Sequence, residues 1–105
     1  MTNKARLILT ADDFGLAPEV NDAILAGYES GVVSSTTLRV TATASRSAAV
    51  AARIRPGLAV GLQLVLCGGQ ATLPYRHVRD LVDSGGRFVD RPLEAAWLYR
   101  RGGGL

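Results

Sequence analysis

Three short apolar runs, separated by two stretches of helical spacing, constrain this chain more than any other feature. Arg6–Ala11 reads Arg-Leu-Ile-Leu-Thr-Ala and has strand character. It is expected to end at Asp12 and Asp13, since a buried strand does not tolerate two acids in its middle. Pro18 suits the first position of a helix. Val20, Ile24 and Tyr28 then recur every four residues, with Ala23 and Gly27 beside them, which describes one helix face. Glu19 and Asp22 lie in the first turn, where the macrodipole favours acids, and Gly31 is a stop signal.

Val32–Val40, rich in Val, Ser and Thr, reads as a second strand. Ser45 is placed to cap a second helix over Arg46–Ile54, which Pro56-Gly57 ends. Leu58–Leu66 is nearly all apolar, the pattern of a strand buried on both faces of a parallel sheet, and Gly68-Gly69 breaks it. The alternation predicts βαβ units: an α/β fold of about three parallel strands with flanking helices. Beyond Pro74 the pattern weakens. His77–Val82 reads as a short helix and Ser84-Gly85-Gly86 as a turn. Arg91–Arg100 reads as a further helix with Leu93, Ala96 and Trp97 on one face. Residues 1–100 form one domain in this reading, and 101–105 a flexible tail.

Composition excludes several function classes. With 48% hydrophobic and 20% charged residues the chain fits a globular protein rather than a disordered one. The net charge of +3 is scattered, so no nucleic-acid partner is expected. No apolar run approaches the ~20 residues of a membrane span. The Leu7–Leu9 patch is too short for the core of a secretory signal. The single cysteine, Cys67, allows no internal disulfide, and a cytoplasmic location is expected.

Chemistry centres on Asp12-Asp13-Phe14-Gly15, directly after the first strand. Parallel α/β folds bind ligands at the carboxyl ends of strands. There one carboxylate can bind a divalent cation while the other takes a proton from water. The alternative is a solvated turn in which one Asp caps the next segment. Taken alone, the pair favours that simpler reading.

The wider pattern shifts the balance. The stretch from Leu7 to Asn21, Leu-Ile-Leu-Thr-Ala-Asp-Asp-Phe-Gly-Leu-Ala-Pro-Glu-Val-Asn, resembles the opening of YdjC-like carbohydrate deacetylases. It is especially similar to the branch associated with hopanoid biosynthesis. The resemblance continues through Gly31–Leu38 and Pro56–Leu62, and more loosely through Leu73-Pro74 and Leu81–Phe88. It implies the N-terminal portion of a distorted TIM-type (β/α) barrel. It also implies a metal-dependent enzyme, with Mg or Zn, that removes acetyl groups from N-acetylated sugars. By the same resemblance Asp12 is the general base and Asp13 a metal ligand. The third strand of the family carries a metal-binding histidine in a Gly-Leu-His-Leu context. This chain has Gly61-Leu62-Gln63-Leu64, so Gln63 takes the ligand position, with a hydrogen-bonded polar residue as the preferred alternative.

The family's second metal histidine falls beyond Leu105, and His77, the only histidine, does not match it; it reads as a surface residue. Cys67 reads as a small half-buried residue rather than a replacement ligand. Trp97 reads as core, with a sugar-stacking surface shared with Tyr99 as the alternative, and Arg46, Arg53 and Arg55 as a solvated face. The resulting expectation is a truncated or degenerate carbohydrate deacetylase, weakly active or inactive as this chain. A homo-oligomer or a missing C-terminal half would complete it. Two alternatives stay open. One is a non-catalytic interaction module. The other is a receiver-like signalling domain, disfavoured because Leu66-Cys67-Gly68 offers no phosphoacceptor after the third strand and Lys4 is the only lysine.

Overall fold

The structure, a computed structural model, describes residues 4–101. Residues 102–105, most of the expected tail, lie outside the described residues. The chain divides into two compact units, the first ending at Gln63 and the second beginning at Leu64.

The first unit is a three-stranded parallel sheet in the order β1-β2-β3, with β1 over Thr10–Phe14, β2 over Ser35–Leu38 and β3 over Ala59–Leu62. The crossovers are α1, Pro18–Glu29, and α2, Ser45–Arg53. Phe14 at the end of β1, Ile24 of α1 and Ala48 of α2 form one buried cluster, so both helices cover the same sheet face. Burying a side chain such as Phe14 contributes about 1.5–3 kcal/mol. Pro18 opens α1 as expected. Beyond that helix Gly31 adopts φ +78°, a left-handed conformation that glycine enters at little cost.

The expected strand Arg6–Ala11 is displaced toward its C-terminus. Pairing starts at Thr10, opposite Ser35, and runs through both acids to Phe14. The acids are tolerated because β1 is an edge strand, exposed at Asp12 and half-buried at Asp13. Leu7 and Ile8 lie before the pairing and are exposed. The third run is also corrected. All four β3 residues are exposed, because β3 is the opposite edge and α1 and α2 pack on β1 and β2. Ser45 does not cap α2: Ala44 is the N-cap and Ser45 the first helical residue. Ala44 is bonded in both directions, its N–H to the Gly15 carbonyl and its carbonyl to the Ala48 N–H, which places the helix start there. Arg55 also departs from the solvated face, since it is half-buried and pairs with Glu29 at 2.7 Å.

The second unit contains α3, Tyr75–Val78, and α4, Pro92–Arg100, with β-bridges joining Gln70 to Arg87 and Val82 to Phe88. Its buried residues include Val82, Phe88 and Ala95. The expected helix His77–Val82 begins and ends earlier, because Val82 is engaged in its bridge. His77 is exposed, as expected. Trp97 is not core. It is exposed, with the Arg101 guanidinium 4.5 Å from its ring centre. The inward face of α4 is Ala95, Leu98 and Tyr99 rather than Leu93, Ala96 and Trp97. The Tyr99 hydroxyl, 2.5 Å from the Leu66 carbonyl oxygen and 3.2 Å from that of Leu81, fixes this rotation. Among the described residues no helix is long and apolar enough to cross a membrane.

Candidate active site

The acidic corner is built by one extra residue in β1. Ala11 pairs with Thr36 and Phe14 with Leu38, so Asp12 and Asp13 together stand opposite the single residue Thr37. This is a β-bulge, two residues against one. Asp13 absorbs it at φ +67°, the left-handed region where Asp is one of the few tolerated side chains; among the described residues it is the only non-glycine there. In a regular strand neighbouring side chains point to opposite faces. Here Ala11 and Phe14, three apart, both pack toward the helices. Both carboxylates instead enter one hydrogen-bond network on the other side.

Thr37 and Gln63 organise that network. Gln63 lies just past β3, two residues beyond Gly61, which pairs with Thr37. The Gln63 Nε2 donates to Asp13 Oδ1 at 2.9 Å, while its Oε1 accepts the Asp13 main-chain N–H at 3.1 Å. The reversed amide would set donor against donor and acceptor against acceptor, so this orientation is the one the contacts permit. The Thr37 hydroxyl lies 2.9 Å from Asp12 Oδ1 and 3.2 Å from Gln63 Oε1. With one proton to give, it favours the nearer, charged acceptor. Arg39 NH1 donates to Asp13 Oδ1 at 3.3 Å, forming a partly buried ion pair.

The rest of the motif holds the corner in place. Phe14 is fully buried beneath it. Gly15 adopts φ +100°, and a Cβ there would lie 2.9 Å from the Ser45 Cα, so both backbone conformation and space require glycine. The Gly15 N–H donates to Asn21 Oδ1 at 2.6 Å, and Asn21 Nδ2 donates to the Ala44 carbonyl at 3.1 Å. Asn21 is thus a buried amide that ties the end of β1 to the start of α2.

Asp12, Asp13 and Gln63, each singled out from the sequence, therefore meet within one network. Cys67 is half-buried, and His77 and Cys67 both belong to the second unit. Thr37, Arg39 and Asn21 escaped sequence reasoning. The available signals were Asn21 three residues before Ile24 on the buried helix side, and the polar Thr37 and Arg39 two apart on either side of Leu38.

The family model for the YdjC-like protein matches residues 6–101. The chain belongs to the YdjC-like family. Its similar relatives include a carbohydrate deacetylase of Clostridium beijerinckii, 38% identical over 89% of this chain and 38% of the relative. A chitooligosaccharide deacetylase of Serratia marcescens is 39% identical, over 90% of this chain and 34% of the relative. A crystal structure from Enterococcus faecalis, of a protein named for a proposed role in cellobiose-phosphate cleavage, superposes with a TM-score of 0.72 at 36% identity. That match covers 89% of this chain and 39% of the other. This YdjC-like chain spans a little over a third of the length of the relatives it matches.

Carbohydrate deacetylases of this family generally depend on a metal, and the residues of the corner bear on whether a cation fits there. Among the described residues no three His, Cys, Asp or Glu side chains converge. The Asp13 Oδ1 already receives Gln63 Nε2 and Arg39 NH1, and Gln63 Oε1 already receives the Asp13 N–H. An amide oxygen suits a hard cation and is a poor zinc ligand. As arranged, these residues do not form a fitted metal centre.

Proposed function

We propose that this YdjC-like chain carries the acidic corner of a carbohydrate deacetylase that acts on N-acetyl groups of amino sugars. In this form it is degenerate and hydrolyses them weakly or not at all. The observation that carries the reading is the bulge that directs Asp12 and Asp13 into one network opposite Thr37. In deacetylation, water adds to the acetamide carbonyl carbon, the C–N bond breaks, and acetate and a free amine result. Asp12 is the proton acceptor for that water, with its Oδ1 oriented by the Thr37 hydroxyl. Asp13 stands at the ligand position of the family, with Gln63 where the family has histidine. Relatives named as carbohydrate and chitooligosaccharide deacetylases support the substrate class. The family's distorted (β/α) barrel is the proposed setting, for which the three parallel strands and two covering helices are support. A hopanoid-linked amino sugar is the narrower substrate proposal, supported by the resemblance over Leu7–Asn21.

Two measurements on N-acetylglucosamine oligosaccharides test this reading. Ligand-observed NMR should show saturation passing from the protein to the acetyl methyl group, and Asp12→Ala should remove it. An acetate-release assay should stay near the uncatalysed background. Turnover at an ordinary enzymatic rate, about 1 s⁻¹ or faster, would refute the degenerate state. A lack of contact with every N-acetylated sugar tried would refute the substrate class.

A further inference from the structure

Asp13 is held by two groups that between them supply what a bound cation would supply to a carboxylate. The Arg39 guanidinium brings positive charge to Oδ1 at 3.3 Å. The Gln63 amide brings a directed donor to the same oxygen at 2.9 Å. The same amide also satisfies the Asp13 main-chain N–H through Oε1 at 3.1 Å. Gln63 thus grips one residue at two points, its backbone donor and its side-chain acceptor. That residue is the one in the left-handed conformation on which the bulge depends.

We propose that Gln63 and Arg39 stand in for a divalent cation at Asp13, making the corner a cation-independent structural clamp. The inference rests on the family reading only in taking Asp13 as a ligand position. A cation bound to Asp13 Oδ1 would sit within about 2.0–2.6 Å of that oxygen. The Gln63 N–H group points at that space, and the guanidinium beside it repels a second positive charge. For Gln63 to ligate through Oε1, a cation would have to share that oxygen with the Asp13 N–H, the donor of a backbone position in the left-handed region, and would lie beside the Arg39 guanidinium. The two expected ligands are thus bonded to each other at two points, Asp13 Oδ1 to Gln63 Nε2 and the Asp13 N–H to Gln63 Oε1.

Gln63→Glu separates the clamp from a latent metal site. It removes the donor to Asp13 Oδ1 and sets a third carboxylate beside Asp12 and Asp13, an all-oxygen set suited to Mg or Mn. The experiment is thermal unfolding of the full chain in EDTA, then with Mg, Mn or Zn. A site filled a hundredfold above its dissociation constant raises the midpoint of a domain this size by about 10 °C or more. The wild-type midpoint should not respond. Gln63→Glu should unfold earlier in EDTA and recover with Mg or Mn. If that variant does not fold, Arg39→Gln takes its place, with a gained response to cations expected.

A cation-induced rise in the wild type that disappears in Asp13→Asn would overturn the proposal. A rise that persists in Asp13→Asn places the cation elsewhere and upholds the clamp. A folded Gln63→Glu or Arg39→Gln variant that stays indifferent to cations would also overturn it. None of these readouts uses a sugar, so the clamp and the deacetylase reading can fail separately.

Discussion

Replacing Asn21 by alanine should weaken the fold through the acidic corner rather than through the helix that carries the residue. Asn21 is 5% exposed. Its Oδ1 takes the N–H of Gly15, itself buried, and its Nδ2 bonds the Ala44 carbonyl. The two ends have unequal value. The Ala44 carbonyl keeps the Ser47 hydroxyl at 2.9 Å and the Ala48 N–H at 3.1 Å. The Gly15 donor loses its acceptor. Stranding it costs about 1–3 kcal/mol, and the Nδ2 bond adds about 1 kcal/mol. Alanine returns roughly 0.6 kcal/mol through better helix propensity. The net loss is about 1.5–3.5 kcal/mol. At an m-value near ~1.5 kcal/mol/M, the urea midpoint followed by circular dichroism falls by about 1–2 M. Asn21→Asp retains an acceptor for Gly15, so the Gly15 amide should remain protected in that variant and lose protection in Asn21→Ala. The reasoning is refuted if Asn21→Ala unfolds within ~0.5 kcal/mol of wild type with its Gly15 amide still protected.

Gly15→Ala should destabilise the chain by about 2 kcal/mol or more, read from the same urea melts, because the left-handed backbone and the Ser45 backbone both oppose a Cβ. A wild-type midpoint in that variant would contradict the close approach. Tyr99 gives a pH-dependent test. Burial, and secondarily the charge of Cys67, raise its pKa above 10.0, favouring the neutral phenol in the folded chain. That contribution is complete below the unfolded value and is lost as pH rises through the folded one. Tyr99→Phe loses the bonds to the Leu66 and Leu81 carbonyls and should be less stable than wild type at pH 7, and thermal melts should show the gap closing above about pH 10. A constant gap would show that the hydroxyl bonds do not depend on the proton.

The order of elements was legible because Pro18, Gly31, Pro56-Gly57 and Gly68-Gly69 divide apolar runs whose spacing alternates between strand and helix. Strand ends were not, because register decides them. Thr10 begins β1 because Ser35 lies beside it, and no local preference within Arg6–Ala11 encodes that pairing. The buried appearance of Leu58–Leu66 misled because an apolar run shows what a strand can bury, whereas β3 is the exposed edge of the sheet. Trp97 misled in the same way: helical spacing allowed two rotations of α4, and the Tyr99 hydroxyl selects one. At the corner, Asp12 and Asp13 announced themselves as adjacent acids after a strand. Their shared network depends on a bulge, which any sequence pattern of period two conceals. Gln63 drew notice as a departure from a family pattern. Its grip on both ends of Asp13 is visible only in three dimensions.

Amide hydrogen exchange at Asp13 tests the architecture of the corner most directly. The wild-type Asp13 amide should be protected, because Gln63 Oε1 accepts its proton. Gln63→Leu should expose it while the Gly15 amide, held by Asn21, stays protected. An Asp13 amide that already exchanges at the rate of an open chain in the wild type would contradict the account.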